Sequence, residues 1–189
     1  MQIPVIETER LRLRAHRPED FEVAARIWGD EKVVRFIGGK PSTRQASWRR
    51  LLNYAGHWQF MGFGYWAVEE KSSGQYVGDI GFADFKRDFE GAEKFDLKGV
   101  PEMGWVLSPS VHGKGYATEA VSAALAWADA NFSKLSVFKN FPRNADGKIR
   151  TFCLIDPANA GSFRVAEKAG FKQIGHLVYM GGQVALFER

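Results

Sequence analysis

The sequence predicts an α/β fold built on one mixed sheet. Three observations lead there. Stretches with a two-residue hydrophobic period alternate with stretches of helical period, in the order strand, two helices, three strands, helix, strand, helix, two strands. A glycine-bearing turn, His112-Gly113-Lys114-Gly115, joins a β-type run to a helix in the second half of the chain. No repeat, low-complexity tract or composition break divides the 189 residues, so one domain spanning 1–189 is expected.

Taken in order, Leu11, Leu13 and Ala15 alternate with Arg10, Arg12 and Arg14, the pattern of a half-buried strand. Pro18 suits the first position of a helix in which Phe21, Ala24, Ala25 and Trp28 share a face. Ser42 or Thr43 caps a second helix, with Trp48, Leu51, Leu52 and Ala55 along one side and Arg44, Arg49 and Arg50 on the solvated face. Residues 64–69 and 76–82 are rich in β-formers, and the polar stretch between them reads as a hairpin loop. The charged, glycine-bearing segment 86–99 reads as a loop. A strand over 102–107 follows and leads through Ser108-Pro109-Ser110 into the turn. Beyond it, Ala117, Ala120, Val121, Ala124, Leu125 and Ala128 recur at helical spacing. Segment 133–147, with Phe138, Phe141 and Pro142 among basic residues, reads as a surface insertion. Residues 149–155 form a further strand, Asn159 caps a short helix ending at Gly170, and 171–177 and 183–187 close as a strand pair.

The turn before the long helix is suited to a phosphate. Glycines let the main chain approach a ligand, the first helical turn offers unpaired N–H groups backed by the helix dipole, and Lys114 adds a charge. Glycines before a helix also serve simply to turn the chain, and that alternative stays open on the glycines alone. The spacing is neither that of a Walker A loop nor that of a dinucleotide fingerprint.

The string from Gly113 to Ala120, GKGYATEA, resembles the acyl-CoA signature [QR]-x-x-G-x-[GA] of the GCN5-related N-acetyltransferases (GNAT). That frame lies on residues 112–117; Gly115 and Ala117 match it, and His112 departs from Gln or Arg. A second block, Asn159-Ala160-Gly161-Ser162 and then Glu167-Lys168-Ala169-Gly170-Phe171, is similar to words that close the same family's domain. The opening Glu7-Thr8-Glu9-Arg10-Leu11-Arg12-Leu13-Arg14 resembles the first strand of the branch that holds the RimJ and RimL ribosomal-protein alanine and serine acetyltransferases. The resemblance reaches from about residue 8 to 187.

The resemblance implies a mostly antiparallel mixed sheet of about seven strands flanked by about four helices. It implies an acetyl-CoA-dependent N-acetyltransferase acting on a primary amine, a small molecule or a protein N-terminus, by direct transfer through a tetrahedral intermediate. Such chemistry needs a neutral amine, a stabilised oxyanion and a protonated leaving thiol. By resemblance, the strand before the turn splays from its neighbour and offers the main-chain amides of Val106 and Leu107, beside Trp105. His112, Gly113, Lys114, Gly115, Tyr116, Ala117 and Thr118 make the cofactor cradle, with Tyr116 packing away from the acyl group. Asn159 bonds the pantetheine arm, Ser162 stands near the sulfur as proton donor, and Tyr179 and Tyr116 are the other candidate acids. Glu102 is the candidate base; a carboxylate facing solvent at a strand edge is the alternative. Lys168, with Arg164 four residues before it on the same helix face, meets the 3′-phosphate or adenine; a solvated helix surface is the alternative. Glu119 would repel a phosphate and instead favours the helix N-terminus or a neighbouring strand.

Acceptor choice is expected to lie between Gly29 and Phe60, in 86–99 and in 133–147. A CoA-binding module without turnover, or a nucleotide domain of another α/β type, remain the rival classes. Composition narrows the field further. Hydrophobic residues make up 45% of the chain, no apolar run could span a bilayer, and no secretion signal opens it. Cys153 is the sole cysteine and is expected in the core, so a cytoplasmic protein without disulfides is predicted. Four scattered histidines give no metal spacing, and no metal is expected. A net charge of +4, spread along the chain, predicts neither nucleic-acid nor membrane partners. Relatives in the family are often dimers, so the resemblance allows a homodimer.

Overall fold

A computed structural model describes residues 2–135 and 142–189. The chain runs β1 (Ile6–Glu7), β2 (Leu11–Arg14), α1 (Phe21–Gly29), α2 (Glu31–Val34), α3 (Arg44–Met61), β3 (Tyr65–Glu70), β4 (Gln75–Ala83), β5 (Glu102–Leu107), α4 (Tyr116–Asn131), β6 (Phe152–Ile155), α5 (Ala160–Lys168), β7 (Lys172–Tyr179) and β8 (Gly182–Glu188). The strands form one sheet in the order β1-β2-β3-β4-β5-β6-β8-β7. Every named pair is antiparallel except β5 with β6. An α/β fold with a mostly antiparallel sheet is what the sequence predicts, with eight strands and five α-helices among the described residues in place of about seven and about four.

Strand alternation divides the sheet into two buried faces. Trp66, Val68, Ile80, Phe82, Met103 and Leu107 pack on α4, whose Ala120, Val121, Ala124, Leu125 and Ala128 are all buried, the face the spacing predicts. On the other face Ala67, Tyr76 and Val106 pack on Ala24, Ile27 and Trp28 of α1, Val33 and Val34 of α2, and Leu51 of α3. Beside them the ring of Tyr54 stacks on Tyr65, with centroids 4.6 Å apart.

Several elements differ from the sequence reading. Pro18 opens a short 3-10 turn over Pro18–Asp20, and α1 begins after it. The buried side of α3 is Ser47, Leu51, Tyr54 and Trp58, while Trp48 and Leu52 stay exposed. Tyrosine and serine score as polar in a periodicity search, and here they face inward. Arg50 lies over the Trp28 ring at 3.6 Å, and Arg44 is paired with Glu22. Ile149 precedes β6 in an isolated bridge to Arg143. The predicted loop 86–99 is fastened to β7 by two main-chain bonds between Glu90 and Val178, each 3.1 Å. Of the 133–147 insertion, positions 136–141, including Phe138 and Phe141, lie outside the described residues.

His57 on α3 fixes the end of β4. Its Nδ1 bonds the Phe63 carbonyl at 2.7 Å and its Nε2 bonds the Asp84 N–H at 3.0 Å. A neutral imidazole satisfies both partners, donating from Nδ1 and accepting at Nε2; a protonated ring cannot accept. Burial accordingly lowers its pKa below the ordinary 6.5. The unfolded chain therefore binds the proton first as pH falls, so this contribution is complete above 6.5 and is lost as pH drops through the lowered folded value. Urea midpoints measured across that range are expected to decline on the acid side, with a shallower decline for His57→Gln.

Candidate active site

The parallel pair β5 and β6 meets at one position, Glu102 opposite Phe152, where Phe152 N donates to Pro101 O at 3.1 Å. Beyond that point the strands diverge. β6 is paired along its length with β8, whereas β5 stays with β4 as far as Leu107. A gap opens in the sheet beside the C-terminal half of β5. Ser108 N donates to Val77 O at 2.8 Å, which fixes the alternation along β5. Main-chain groups of Gly104 and Val106 face β4, and those of Trp105 and Leu107 face the gap. The amides turned into the opening thus belong to Trp105 and Leu107. Val106, expected to offer one, is paired with Asp79 and brings only its side chain, a parity that a motif cannot reveal.

The glycine turn follows the end of this strand. Gly113 and Gly115 have φ of 78° and 81°, the left-handed region where a Cβ is strained. Among the described residues no acceptor bonds the main-chain N–H of any residue from Gly113 to Thr118; the helical ladder begins with Glu119 N to Gly115 O at 3.1 Å. A row of unpaired amides at the N-terminus of α4 therefore faces the cleft.

The turn is braced from behind. Arg10, between β1 and β2, donates from Nη1 to the Lys114 carbonyl at 2.8 Å and from Nε to Glu119 at 2.7 Å. Thr8 donates to the other Glu119 oxygen at 2.6 Å. Burial pushes the Glu119 carboxyl up, but these bonds hold it below its ordinary value. Glu119 therefore ties the helix to the β1–β2 hairpin. Lys114 and Tyr116 both reach Glu70, at 3.4 and 2.7 Å, so Tyr116 packs behind the turn. His112 Nε2 bonds the Leu107 carbonyl at 3.0 Å, committing that nitrogen to the strand end.

Opposite stands α5. Asn159 Oδ1 accepts from Ser162 N at 3.1 Å, which leaves its amide NH2 for another partner. Together these parts enclose a cleft of about 570 Å³ lined by Trp105, Val106, Leu107, His112, Gly113, Gly115, Tyr116, Ala117, Thr118, Asn159, Ser162, Arg164 and Lys168. Lys32, Val33, Phe36 and Ile37 form the facing wall. Sequence reasoning missed those four; the signal available was Asp30, which caps α2 by accepting from Lys32 N.

Glu102 lies outside this cleft, on the face of β5 that looks toward α1 and α3. It is 8% exposed, and burial raises its pKa against the pull of Arg87. Arg87 grips it with two bonds, Nε to Oε2 at 2.7 Å and Nη2 to Oε1 at 3.1 Å, and donates from Nη1 to the Tyr179 hydroxyl at 2.6 Å. Tyr65 is a second neighbour that the sequence did not flag. Its hydroxyl lies 2.0 Å from where a Cβ on Gly104 would stand, so the bare glycine makes room for it between Glu102 and Val106. Cys153 is buried, and burial pushes its thiol up, which suits a core residue. Among the described residues no cluster of three His, Cys, Asp or Glu could hold a metal, and no helix is long and apolar enough to cross a membrane.

A profile of the acetyltransferase (GNAT) domain matches residues 10–172. The chain belongs to the GNAT acetyltransferase family. As a GNAT acetyltransferase it is an acyltransferase, and the family moves acetyl groups from acetyl-CoA to amines. The chain is 27% identical over 187 residues to YkkB, an uncharacterized protein of Bacillus subtilis strain 168, covering 96% of this chain and 93% of the relative. A Bordetella pertussis protein proposed to be a GnaT-family acetyltransferase superposes with a TM-score of 0.75 at 27% identity, covering 99% of each chain. RimL, a ribosomal-protein alpha-N acetyltransferase solved with coenzyme A, shares the fold with a TM-score of 0.71 at 13% identity, over 98% of this chain and 97% of that one.

Proposed function

We propose that residues 1–189 work as one acetyl-CoA-dependent N-acetyltransferase domain, transferring the acetyl group directly to the primary amine of a small molecule or a protein N-terminus. The row of unpaired amides from Gly113 to Thr118, at the end of a strand that has parted from its neighbour, carries the reading. Those donors fit a diphosphate, and the gap beside Trp105 and Leu107 fits an extended pantetheine arm. Asn159 meets the arm with its free amide NH2, the Leu107 and Trp105 amides polarise the thioester carbonyl, and the Val106 side chain lines the arm. Lys168, on the cleft wall, meets the phosphate end, while Lys114, its side chain turned back to Glu70, contributes its main-chain N–H. The GKGYATEA string and the fold shared with RimL support the RimJ and RimL branch.

In the transfer, Glu102 accepts a proton from the acceptor ammonium, directly or through water, beside the Tyr65 hydroxyl that Gly104 admits. The freed nitrogen lone pair attacks the thioester carbon, the C–S bond breaks, and the second nitrogen proton passes by way of the Ser162 hydroxyl to the departing sulfur. Burial of Glu102 suits this role because it brings the carboxyl closer to working pH.

Acetyl-CoA is expected to raise the melting temperature of the protein while ATP and NAD leave it unchanged. Thiol release over an amine panel then separates an enzyme from a CoA-binding module, and stabilisation by ATP or NAD alone would remove the assignment. Glu119→Ala is expected to weaken acetyl-CoA binding by about tenfold in calorimetry, with kcat at saturating cofactor little changed, because it loosens the turn without touching the ligand.

A further inference from the structure

The Arg87–Glu102 pair sits in a second cleft, of about 270 Å³, at the opposite end of β5 from the glycine turn. The two side chains meet fork to fork and are 24% and 11% exposed. Much of the remaining wall is apolar, supplied by Phe63, Phe85, Phe89, Leu97 and Val100. At its mouth Lys86 and Asp84 pair with each other. The Arg87–Glu102 and Lys86–Asp84 pairs cancel, and Lys98 on the lining adds one positive charge.

The Arg87 pairing and the excess positive charge restrict what can approach Glu102. A simple monocationic amine must draw the carboxylate away from Arg87 and leave a half-buried guanidinium with no anion, only the Tyr179 hydroxyl and the faces of the Phe85 and Tyr179 rings. Such uncompensated charge is strongly unfavourable in a dehydrated site. An acceptor that carries its own carboxylate next to its amine exchanges partners instead: its ammonium takes Glu102, its carboxylate takes the planar fork of Arg87, and every charge stays paired. We propose that the acceptor is a small zwitterion, an amine with a carboxylate on the adjacent carbon and an apolar body, seated between Glu102 and Arg87. The proposal rests on the acetyltransferase reading above. A protein N-terminus offers an amide where the carboxylate is needed, and the cleft volume suits a molecule of amino-acid size.

Proton transfer then follows from the exchange. The ammonium gives one proton to Glu102 and becomes the nucleophile, the carboxylate stays on Arg87 throughout, and the products are the N-acetyl acid and the free thiol, with one proton released to water when Glu102 reloads.

The test pairs L-leucine with L-leucinamide, and L-phenylalanine with phenethylamine, alongside a peptide beginning with alanine. Turnover is followed by thiol release, and acceptor binding by calorimetry on protein loaded with unreactive CoA. The acids are expected to bind, and to be used with kcat/KM at least about tenfold above their carboxylate-free partners and the peptide. Arg87→Gln is expected to raise KM for the acids more than about tenfold while changing that of the amide little, with Arg87→Lys in between and acetyl-CoA affinity unaltered in both. Equal or better use of the amide, the amine or the peptide overturns the proposal, as does failure of every acid to bind CoA-loaded protein. Failure of the wild-type protein to bind acetyl-CoA overturns instead the reading beneath it.

Discussion

Gly115→Glu is expected to lower acetyl-CoA affinity by at least about 100-fold, a loss of about 2.7 kcal/mol of binding energy or more. Two effects act together. Gly115 has φ of 81°, so any side chain there strains the turn and shifts the neighbouring amides. The side chain also starts toward the Arg10 guanidinium, where its carboxylate competes with Glu119 for the brace and weakens the positive potential that the N–H row and the α4 dipole offer an anion. The Cβ itself would have room, its nearest neighbour being the Arg10 guanidinium at 3.5 Å, so the fold is expected to survive. Calorimetry reports the loss and a circular dichroism spectrum reports the fold. Retained affinity would mean that the diphosphate is held elsewhere.

The second large effect is expected at Glu102. Glu102→Gln should reduce kcat by about 10² to 10³-fold and leave acetyl-CoA affinity unchanged, because the residue is absent from the cofactor cleft. The wild-type base is active only when ionised, and burial raises its pKa, so the rate falls as pH drops through that raised value. Above the pKa of the amine, acceptors arrive already neutral and the base has less to do. The deficit of the variant is therefore greatest between these two limits and shrinks on either side. Glutamine still offers Arg87 an oxygen, which limits the structural damage. An unaltered profile would remove Glu102 from the base role.

Both variants concern residues that were visible in the sequence, and the reason is chemical. Glycines at a strand-to-helix junction announce a backbone that must approach a ligand, and the buried face of α4 was legible because its alanines, valine and leucine keep helical spacing without interruption. Partners distant in sequence were not legible. Arg87 belongs to a segment that reads as loop, and the tether between Glu90 and Val178, with Phe89 packed on Phe152 and Tyr179, brings it against Glu102 and Tyr179. Tyr65 reads as an ordinary strand residue until Gly104 is seen to make room for its hydroxyl. The short α2, four residues long, falls below the length at which periodicity registers, which hid Lys32 and the facing wall of the cleft. On α3 Ser47 and Tyr54 face inward, so the hydrophobic pattern, which points to Trp48 and Leu52, marks the wrong side.

The gap between β5 and β6 illustrates the same boundary. Motif matching predicts that the strand parts from its neighbour, yet which amides face the opening depends on register, set by the Ser108–Val77 bond. A one-residue change in that alternation would exchange Val106 for Trp105 and Leu107.

The most direct measurement is a crystal structure of the protein with acetyl-CoA. The diphosphate oxygens are expected within hydrogen-bonding distance, about 3 Å, of the amides between Gly113 and Thr118, with the thioester carbonyl facing Trp105 and Leu107. A cofactor seated away from that turn, or a turn that closes its amides onto the protein's own carbonyls, would contradict the account.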